Sequence, residues 1–413
     1  MIKIAFIKYG GCSLGGTETF LRTIANNIDK KIFEVHYFYC DATPYIGSDY
    51  KHMDTHPSAE ESLKKNGVKL HKFNVKYKNV EVPTHDWVET NFWDIFNETD
   101  FDLIQTARAG HPEYPFYLIK NTPIIDSIHL DAGIDNQKNI SRVLHLANIN
   151  IKNWVKNGGD KKRARLISLP IMQKTDRVTN LINKLGIESK NNILGLHQRK
   201  DDNIYSEIPL NAYSKIEDED TAFILLGGSA KYIEQASALK LNSFFHLEFD
   251  TIDNLEEIFL NTLTIYTHGR KDGEINSTAI ANAMRNGLPI VSHFSEYNNG
   301  HIEQIGEAGK VCKRTEEYTE EIKKLIQNKE YYQYRSKSSF NNFNKNYEIS
   351  NQINKIENIY LDVIENPYVN SNLFYLEIRS YFIKQKNKGR EFILKFILKV
   401  VRKLKKVKSI IQK

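Results

Sequence analysis

Residues 267–293, THGRKDGEINSTAIANAMRNGLPIVSH, concentrate more reactive and ligand-binding side chains than any other stretch of the chain. His268, Arg270 and Lys271 follow the apolar run LTIYTH, Glu274 comes next, and Ser277 and Thr278 open an apolar periodicity that Gly287 and Pro289 end. The spacing predicts a strand ending at His268, a basic loop, and a helix starting near Glu274 with Ser277 and Thr278 in its first turn. Cations beside a helix N-terminus suit a diphosphate, and a carboxylate next to them suits sugar hydroxyls. A solvated loop with an ordinary cap is the competing reading.

A second stretch, KYGGCSLGGTETF at 8–20, sets Gly10, Gly11, Gly15 and Gly16 directly behind the apolar run MIKIAFI. Thr17 is the expected N-cap of a helix whose Phe20, Leu21, Ile24 and Ile28 share one face. Such a turn lets backbone N–H groups approach an anionic or hydroxyl-rich ligand. The pattern is neither G-x-G-x-x-G nor the P-loop, so hydride transfer and NTP hydrolysis lose support, while a tight turn without a ligand stays open. His129, after the strand-like DSI, is the best single residue of the first half to meet a substrate. A hydrogen-bonded structural histidine explains it as well.

Other constellations carry less. His52 and His56 have the i,i+4 spacing of a metal pair around Asp54, but they lack the H-E-x-x-H order and read as a polar loop. Asp201, Asp202 and the run EDED at 217–220 read as solvated charge. No G-x-S-x-G elbow occurs. Cys12, Cys40 and Cys312 are too few for a disulfide framework or a structural zinc site, which fits a reducing compartment.

The elements that must hold these residues alternate between short β-branched or aromatic runs and longer amphipathic ones. Strands are expected near 2–7, 34–40, 102–106 and 123–129, with helices near 17–28 and 87–97. After the polar stretch 171–190 the rhythm resumes, with strands at 192–197, 222–226, 244–249, 263–268 and 289–293 and helices near 206–216, 230–240 and 275–286. Strands separated by helices predict parallel sheets covered on both faces. Two such series predict an α/β protein of two doubly wound domains, 1–170 and 171–346, facing each other across a cleft, with ligands at the carboxyl ends of the strands. The chain has 413 residues, long enough for both. Its 40% hydrophobic and 26% charged content is that of a soluble protein, and with no charged-then-apolar leader at Met1 it reads as intracellular.

The net charge of +6 is unevenly spread. Residues 384–413 carry twelve Lys/Arg against Glu391 alone, while residues 1–383 hold 45 basic and 50 acidic residues. Basic character therefore belongs to the tail and not to a nucleic-acid-binding body. In 389–413, Ile393, Ile397, Val400, Leu404, Val407 and Ile411 repeat at helical spacing, with Lys395, Lys399, Arg402 and Lys406 on another face. That predicts a basic amphipathic helix lying on an anionic membrane, too interrupted by charge to span it.

The order strand, basic loop, Gly273-Glu274, then a helix with Ala283-Met284 and Asn286-Gly287-Leu288-Pro289-Ile290-Val291 resembles the donor-site signature of glycosyltransferase family 4 and its GT-B relatives. LGGTETFLRTIANNI is similar to the N-terminal G-G-x-E segment of the same families, DSIH (126–129) falls where they carry a His, and GLHQRKDDNIYSEIPLNAY (195–213) falls where they carry Gly and basic residues. The resemblance implies two Rossmann-like domains, an acceptor held by the first, a nucleotide-sugar held by the second, and a late helix, here 347–366, crossing back before the tail at 367–413. It implies catalytic or sugar-facing roles for Glu274 and His129. Donor contacts are implied for Gly15, Gly16, Arg199, Lys200, His268, Arg270, Lys271, Ser277, Thr278 and Asn282. The family's second Glu, eight residues after the first and near the donor ribose, is replaced by Asn282, and its aromatic-Gly pair by Asn276-Ser277.

The chemistry implied is retaining transfer of a sugar from a nucleotide-sugar to a glycan or lipid-linked acceptor in polysaccharide or glycoconjugate synthesis. Cations and helix-end amides would steady the departing phosphate without a metal or cofactor, and that phosphate would take the acceptor's proton. The resemblance and the basic tail together imply a cytoplasmic protein, peripheral on the inner face of the cell membrane. Two alternatives remain open: a GT-B nucleotide-sugar epimerase, and a non-catalytic sugar-nucleotide-binding protein suggested by Asn282 and Asn276-Ser277.

Overall fold

The computed structural model describes residues 1–9, 12–13, 15–40, 55–75, 90–108, 118–130, 139–174, 179–249 and 254–368. The tail at 389–413, Gly10 and Gly11 of the opening loop, His52, Asp54 and the first part of the 87–97 helix lie outside them.

Seven strands form the first sheet: β1 (Ile2–Lys8), β2 (Phe33–Cys40), β3 (Lys69–Phe73), β4 (Leu103–Arg108), β5 (Ile124–Ile128), β6 (Ile140–His145) and β7 (Ala164–Leu166). They are parallel throughout, in the order β3-β2-β1-β4-β5-β6-β7. The chain continues through β8 (Asn192–Gln198), β9 (Thr221–Gly227), β10 (Phe244–Leu247), β11 (Ile265–Thr267), β12 (Gly273–Glu274), β13 (Ile290–His293), β14 (Asn298–Asn299) and β15 (Gly309–Cys312). Six of these make a second parallel sheet, β10-β9-β8-β11-β13-β15, while β12 and β14 pair with each other. The α/β, doubly wound, two-domain architecture expected from the alternating pattern is the one observed.

Strands such as β4 and β9 are buried along their whole length, which is why they read as continuous apolar runs rather than alternating ones. Both sheets reverse strand order beside their first strand: β1 lies between β2 and β4, and β8 between β9 and β11. Those two reversal points open crevices at the carboxyl ends of β1/β4 and β8/β11, where an open α/β sheet takes its ligands.

Helix Ile349–Glu365 follows the second domain in sequence but buries Ile349, Ile353, Ile356, Tyr360 and Val363 in the core of the first. Their spacing of four and three residues makes one apolar stripe. Five such side chains bring roughly 10 kcal/mol of gross apolar burial before chain entropy is charged against it. Tyr360 also donates to Gln105 Oε1 (3.1 Å), and Arg142 grips Asp362 (2.7 Å).

Candidate active site

The crevice of the second sheet is built from strand ends. His197 stands near the end of β8, His268 directly follows β11, and Arg270 to Glu274 form the turn into β12. Gly273 has φ +75°, and a Cβ there would run into the Asn298 carbonyl oxygen, so only glycine lets β12 lie this close to β14. That pairing fixes Glu274.

Glu274 is 15% exposed and accepts from Arg270 Nη1 at 2.9 Å. His268 Nε2 is 3.6 Å from its other oxygen, beyond hydrogen-bond length, so that link is electrostatic. Burial alone would raise the Glu274 carboxyl, but His268 and then Arg270 outweigh it and hold the pKa at about 2. Arg270 is also held by Asp272 through Nε (3.0 Å) and Nη2 (2.7 Å). His268, 3% exposed, shares a hydrogen bond with Ser292 through Nδ1 (2.8 Å). His197 lies with Nε2 3.5 Å from Glu256 Oε1, and burial pushes its pKa below the usual value against the pull of Glu256 and Glu274.

Three polar atoms here are buried without a hydrogen bond: His197 Nδ1, and His268 Nε2 and Glu274 Oε2, which face each other at 3.6 Å. Buried polar atoms are almost always paired, because each unpaired one costs on the order of 1–3 kcal/mol. Such a cluster at a topological reversal point fits a site that takes a polar ligand.

The first sheet's crevice holds the glycine turn. The helix begins at Gly16 with Gly15 as its cap, one residue before the expected start, and no side chain caps it. Thr17 does not cap because it is already the second residue of the helix, where its hydroxyl donates to Glu18 Oε2 (2.8 Å). The Glu18 carboxylate lies over Gly15, where a Cβ would collide with it, and pairs with buried Lys8 (3.3 Å). Lys8 also donates to the Ala107 carbonyl at 3.1 Å. His129 packs edge-on against Phe20 (4.8 Å between ring centres), and its Nε2 is buried and unpartnered. Burial and then Lys8 lower its pKa to about 3, so it is neutral at pH 7.

The structure thus gathers His268, Arg270 and Glu274 in one crevice and His129, Gly15 and Gly16 in the other. Arg199 and Lys200 sit on the surface after β8, engaged by Asp201 (2.8 Å) and Glu248 (2.7 Å). Lys271 is exposed, 3.7 Å from Glu296. The helix expected to start near Glu274 starts at Thr278, with Ser277 as N-cap accepting from the Ile280 N–H (3.3 Å). Glu274 cannot belong to it because β12 has already taken that residue. Thr278 is exposed in the first turn. Asn282 faces the neighbouring helix Leu255–Thr262, donating to Glu256 Oε1 at 2.6 Å.

Sequence reasoning passed over His197, Glu256, Glu18 and Lys8. For Lys8 the only sequence signal was proximity to the glycine loop, for Glu18 it was its place as the Glu of the G-G-x-E segment, and for His197 its place at a strand end. Glu256 gave none, because it meets Asn282 only through tertiary packing. Among the described residues no group of three or more His, Cys, Asp or Glu is placed to hold a metal, and His56 instead shares a hydrogen bond with Ser58 (2.7 Å). The three cysteines are buried and none is in a disulfide. No described helix is long and apolar enough to cross a membrane.

No protein-family model and no curated protein matches this sequence. Solved structures do. HepE from Anabaena, solved in complex with UDP and glucose, aligns with a TM-score of 0.65 at 15% identity over 87% of this chain and 99% of its own. A glycosyltransferase from Rickettsia africae ESF-5 aligns at 0.66 and 15% identity, over 89% and 99%. WaaB, a lipopolysaccharide outer core galactosyltransferase solved in its apo form, aligns at 0.62 and 12%, over 87% and 99%. At such identities the likeness establishes the fold, and this chain has the GT-B architecture of these proteins along nearly their whole length.

Proposed function

We propose that this protein is a glycosyltransferase that moves a sugar, with retention, from a nucleoside diphosphate sugar to a glycan or lipid-linked acceptor. The observation that carries the reading is the set of polar atoms around Glu274, buried without hydrogen bonds, at the β8/β11 reversal point, in a fold shared with a protein solved with UDP and glucose. In this reading Glu274, kept ionised and steered by Arg270, holds donor-sugar hydroxyls, and His268 offers Nε2 to the donor. Neutral His129 meets the sugar or the acceptor across from them, near the glycine turn. Lys271, Arg199 and Lys200 lie on exposed chain after β11 and β8 and swing onto the diphosphate when a donor binds. No protein nucleophile is required, because the departing phosphate takes the acceptor proton, and no metal is required if cations and amides carry the developing charge.

Thermal-shift titration with UDP-, GDP-, ADP- and CMP-sugars, followed by a transfer and hydrolysis assay, tests this. A donor that binds the native state raises the melting temperature, and release of free nucleotide in EDTA supports metal-free transfer. Binding without any turnover would support the non-catalytic alternative instead. The sequence argument for that alternative rested partly on Asn276-Ser277, and both residues have structural work: Asn276 donates across the domain boundary to the Leu146 carbonyl (2.9 Å), and Ser277 caps a helix.

A further inference from the structure

Glu256 stands in the first turn of helix Leu255–Thr262, facing Asn282 on helix Thr278–Arg285. Its Oε1 accepts from Asn282 Nδ2 at 2.6 Å and lies 3.5 Å from His197 Nε2. Its neighbour Glu257 goes to Arg285 (3.3 Å), so the arginine of the facing helix is taken by the adjacent acid. Glu256 is left with an amide and an imidazole for company, 41% exposed, and its Oε2 has no partner among the described residues. On the other side of the same imidazole, His197 Nδ1 is buried without a hydrogen bond, and beyond it His268 Nε2 and Glu274 Oε2 face each other at 3.6 Å. The arrangement is a carboxylate fixed by one oxygen and open at the other, beside a cluster of buried polar atoms.

We infer that Glu256 is a second donor-binding carboxylate that accepts hydrogen bonds from a vicinal diol of the nucleotide-sugar, with Asn282 and His197 positioning it. The inference rests on the nucleotide-sugar reading above. A carboxylate offers about four lone-pair sites, so fixing one oxygen leaves acceptors for two adjacent hydroxyls, and hydrogen bonds to a charged acceptor are the stronger kind. Position 282 carries the amide because it must donate to that carboxylate; an acid there would face Glu256 at hydrogen-bond distance and repel it. The carboxylate that the resemblance would place at 282 is supplied by the facing helix. Two diols fit this chemistry, the ribose 2′,3′ pair and a pair on the transferred sugar.

The test is calorimetric titration of the full chain with UDP, GDP and ADP, their 2′-deoxy forms, and the sugar-linked form of whichever nucleotide binds. Glu256→Gln should weaken binding tenfold or more, as expected for losing hydrogen bonds to a charged acceptor. Asn282→Glu alone should also weaken it, through repulsion, while Glu256→Gln combined with Asn282→Glu should return affinity to within a few-fold of wild type by restoring one carboxylate to the pair. If Glu256→Gln abolishes the preference for ribo over 2′-deoxy nucleotide, the diol is the ribose. If it abolishes only the extra affinity of the sugar-linked form, the diol is on the sugar. Wild-type affinity for both in Glu256→Gln, or no recovery in the double variant, overturns the inference while leaving the nucleotide-sugar reading standing. Failure of the wild-type chain to bind any of these nucleotides overturns that reading and this inference with it.

Discussion

Exchanging Glu274 for Gln keeps the size of the side chain and removes its charge, which separates its structural and chemical roles. The surroundings hold its pKa at about 2 against an ordinary 4.5. At about 1.4 kcal/mol per pKa unit they favour the carboxylate over a neutral group by roughly 3 kcal/mol. Part of that survives in the variant, because Asp272 keeps Arg270 by two hydrogen bonds of its own. The expected loss of unfolding free energy at pH 7 is therefore about 1–3 kcal/mol, a drop in melting temperature of several degrees. Because the folded pKa is depressed, the contribution is complete above pH 4.5 and lost as pH falls from there toward 2, so the gap between wild type and variant should narrow in acid. Activity should fall much further, on the order of 100-fold in kcat/KM, if the charge holds donor hydroxyls at the reacting centre. Melting curves and steady-state rates on the same preparations check both. A variant that melts several degrees lower yet turns over at the wild-type rate would refute the argument, leaving Glu274 as a brace for Arg270 and nothing more.

Acid should destabilise the protein well before its carboxylates titrate. Burial lowers His129 to about 3 and His145, His293 and His301 to about 4, so from pH 6.5 downward the unfolded chain binds protons that the folded one refuses. Stability is whole above pH 6.5 and falls below it by up to about 1.4 kcal/mol per pH unit for each of the four; urea midpoints that stay flat between pH 7 and 5 would contradict this. Gly16→Val should leave stability within about 0.5 kcal/mol, since among the described residues a Cβ at Gly16 meets nothing within 4 Å beyond its chain neighbours and its own helix, yet lower transfer activity if substrate approaches that backbone. Unchanged rates would make the glycine a plain turn residue. Co-sedimentation with anionic vesicles should be salt-sensitive and should disappear on truncation before Lys384, each basic residue near the surface adding about 1 kcal/mol; equal sedimentation of the truncated chain would dismiss the membrane proposal.

The fold was legible where strands are buried on both faces, as in AFILL at 222–226 and IAFI at 4–7, because a covered parallel strand reads as a short continuous apolar run. It was less legible where burial is partial. β3, KLHKF, has only Phe73 fully buried and lies at the sheet edge beside β2, so its polar residues hid it. β6, ISRVLH, is buried throughout, but Arg142 turns to Asp362 at 2.7 Å, a partner 220 residues away that no local pattern reveals. β12 and β14 are two residues each, and their pairing depends on the positive φ of Gly273 rather than on propensity.

The residues at 276, 277 and 282, where this chain departs from the signature it resembles, show why a site is harder to read than a fold. Taken along the chain, each substitution looks like a loss: an aromatic and a glycine replaced by Asn and Ser, a carboxylate by an amide. In three dimensions each has acquired a partner that makes the new residue fit. Asn276 reaches Leu146 in the other domain, Ser277 closes the helix that follows while its own N–H is taken by Gln304 Oε1 at 2.7 Å, and Asn282 holds Glu256. Reverting them singly would set Glu at 282 against Glu256, while glycine at 277 would keep the backbone bonds to Gln304 and lose only the hydroxyl cap. A sequence comparison reads such positions independently and so scores them as decay. The contacts bind them to residues at 146, 256 and 304, and the unit that can be judged present or absent is the pair.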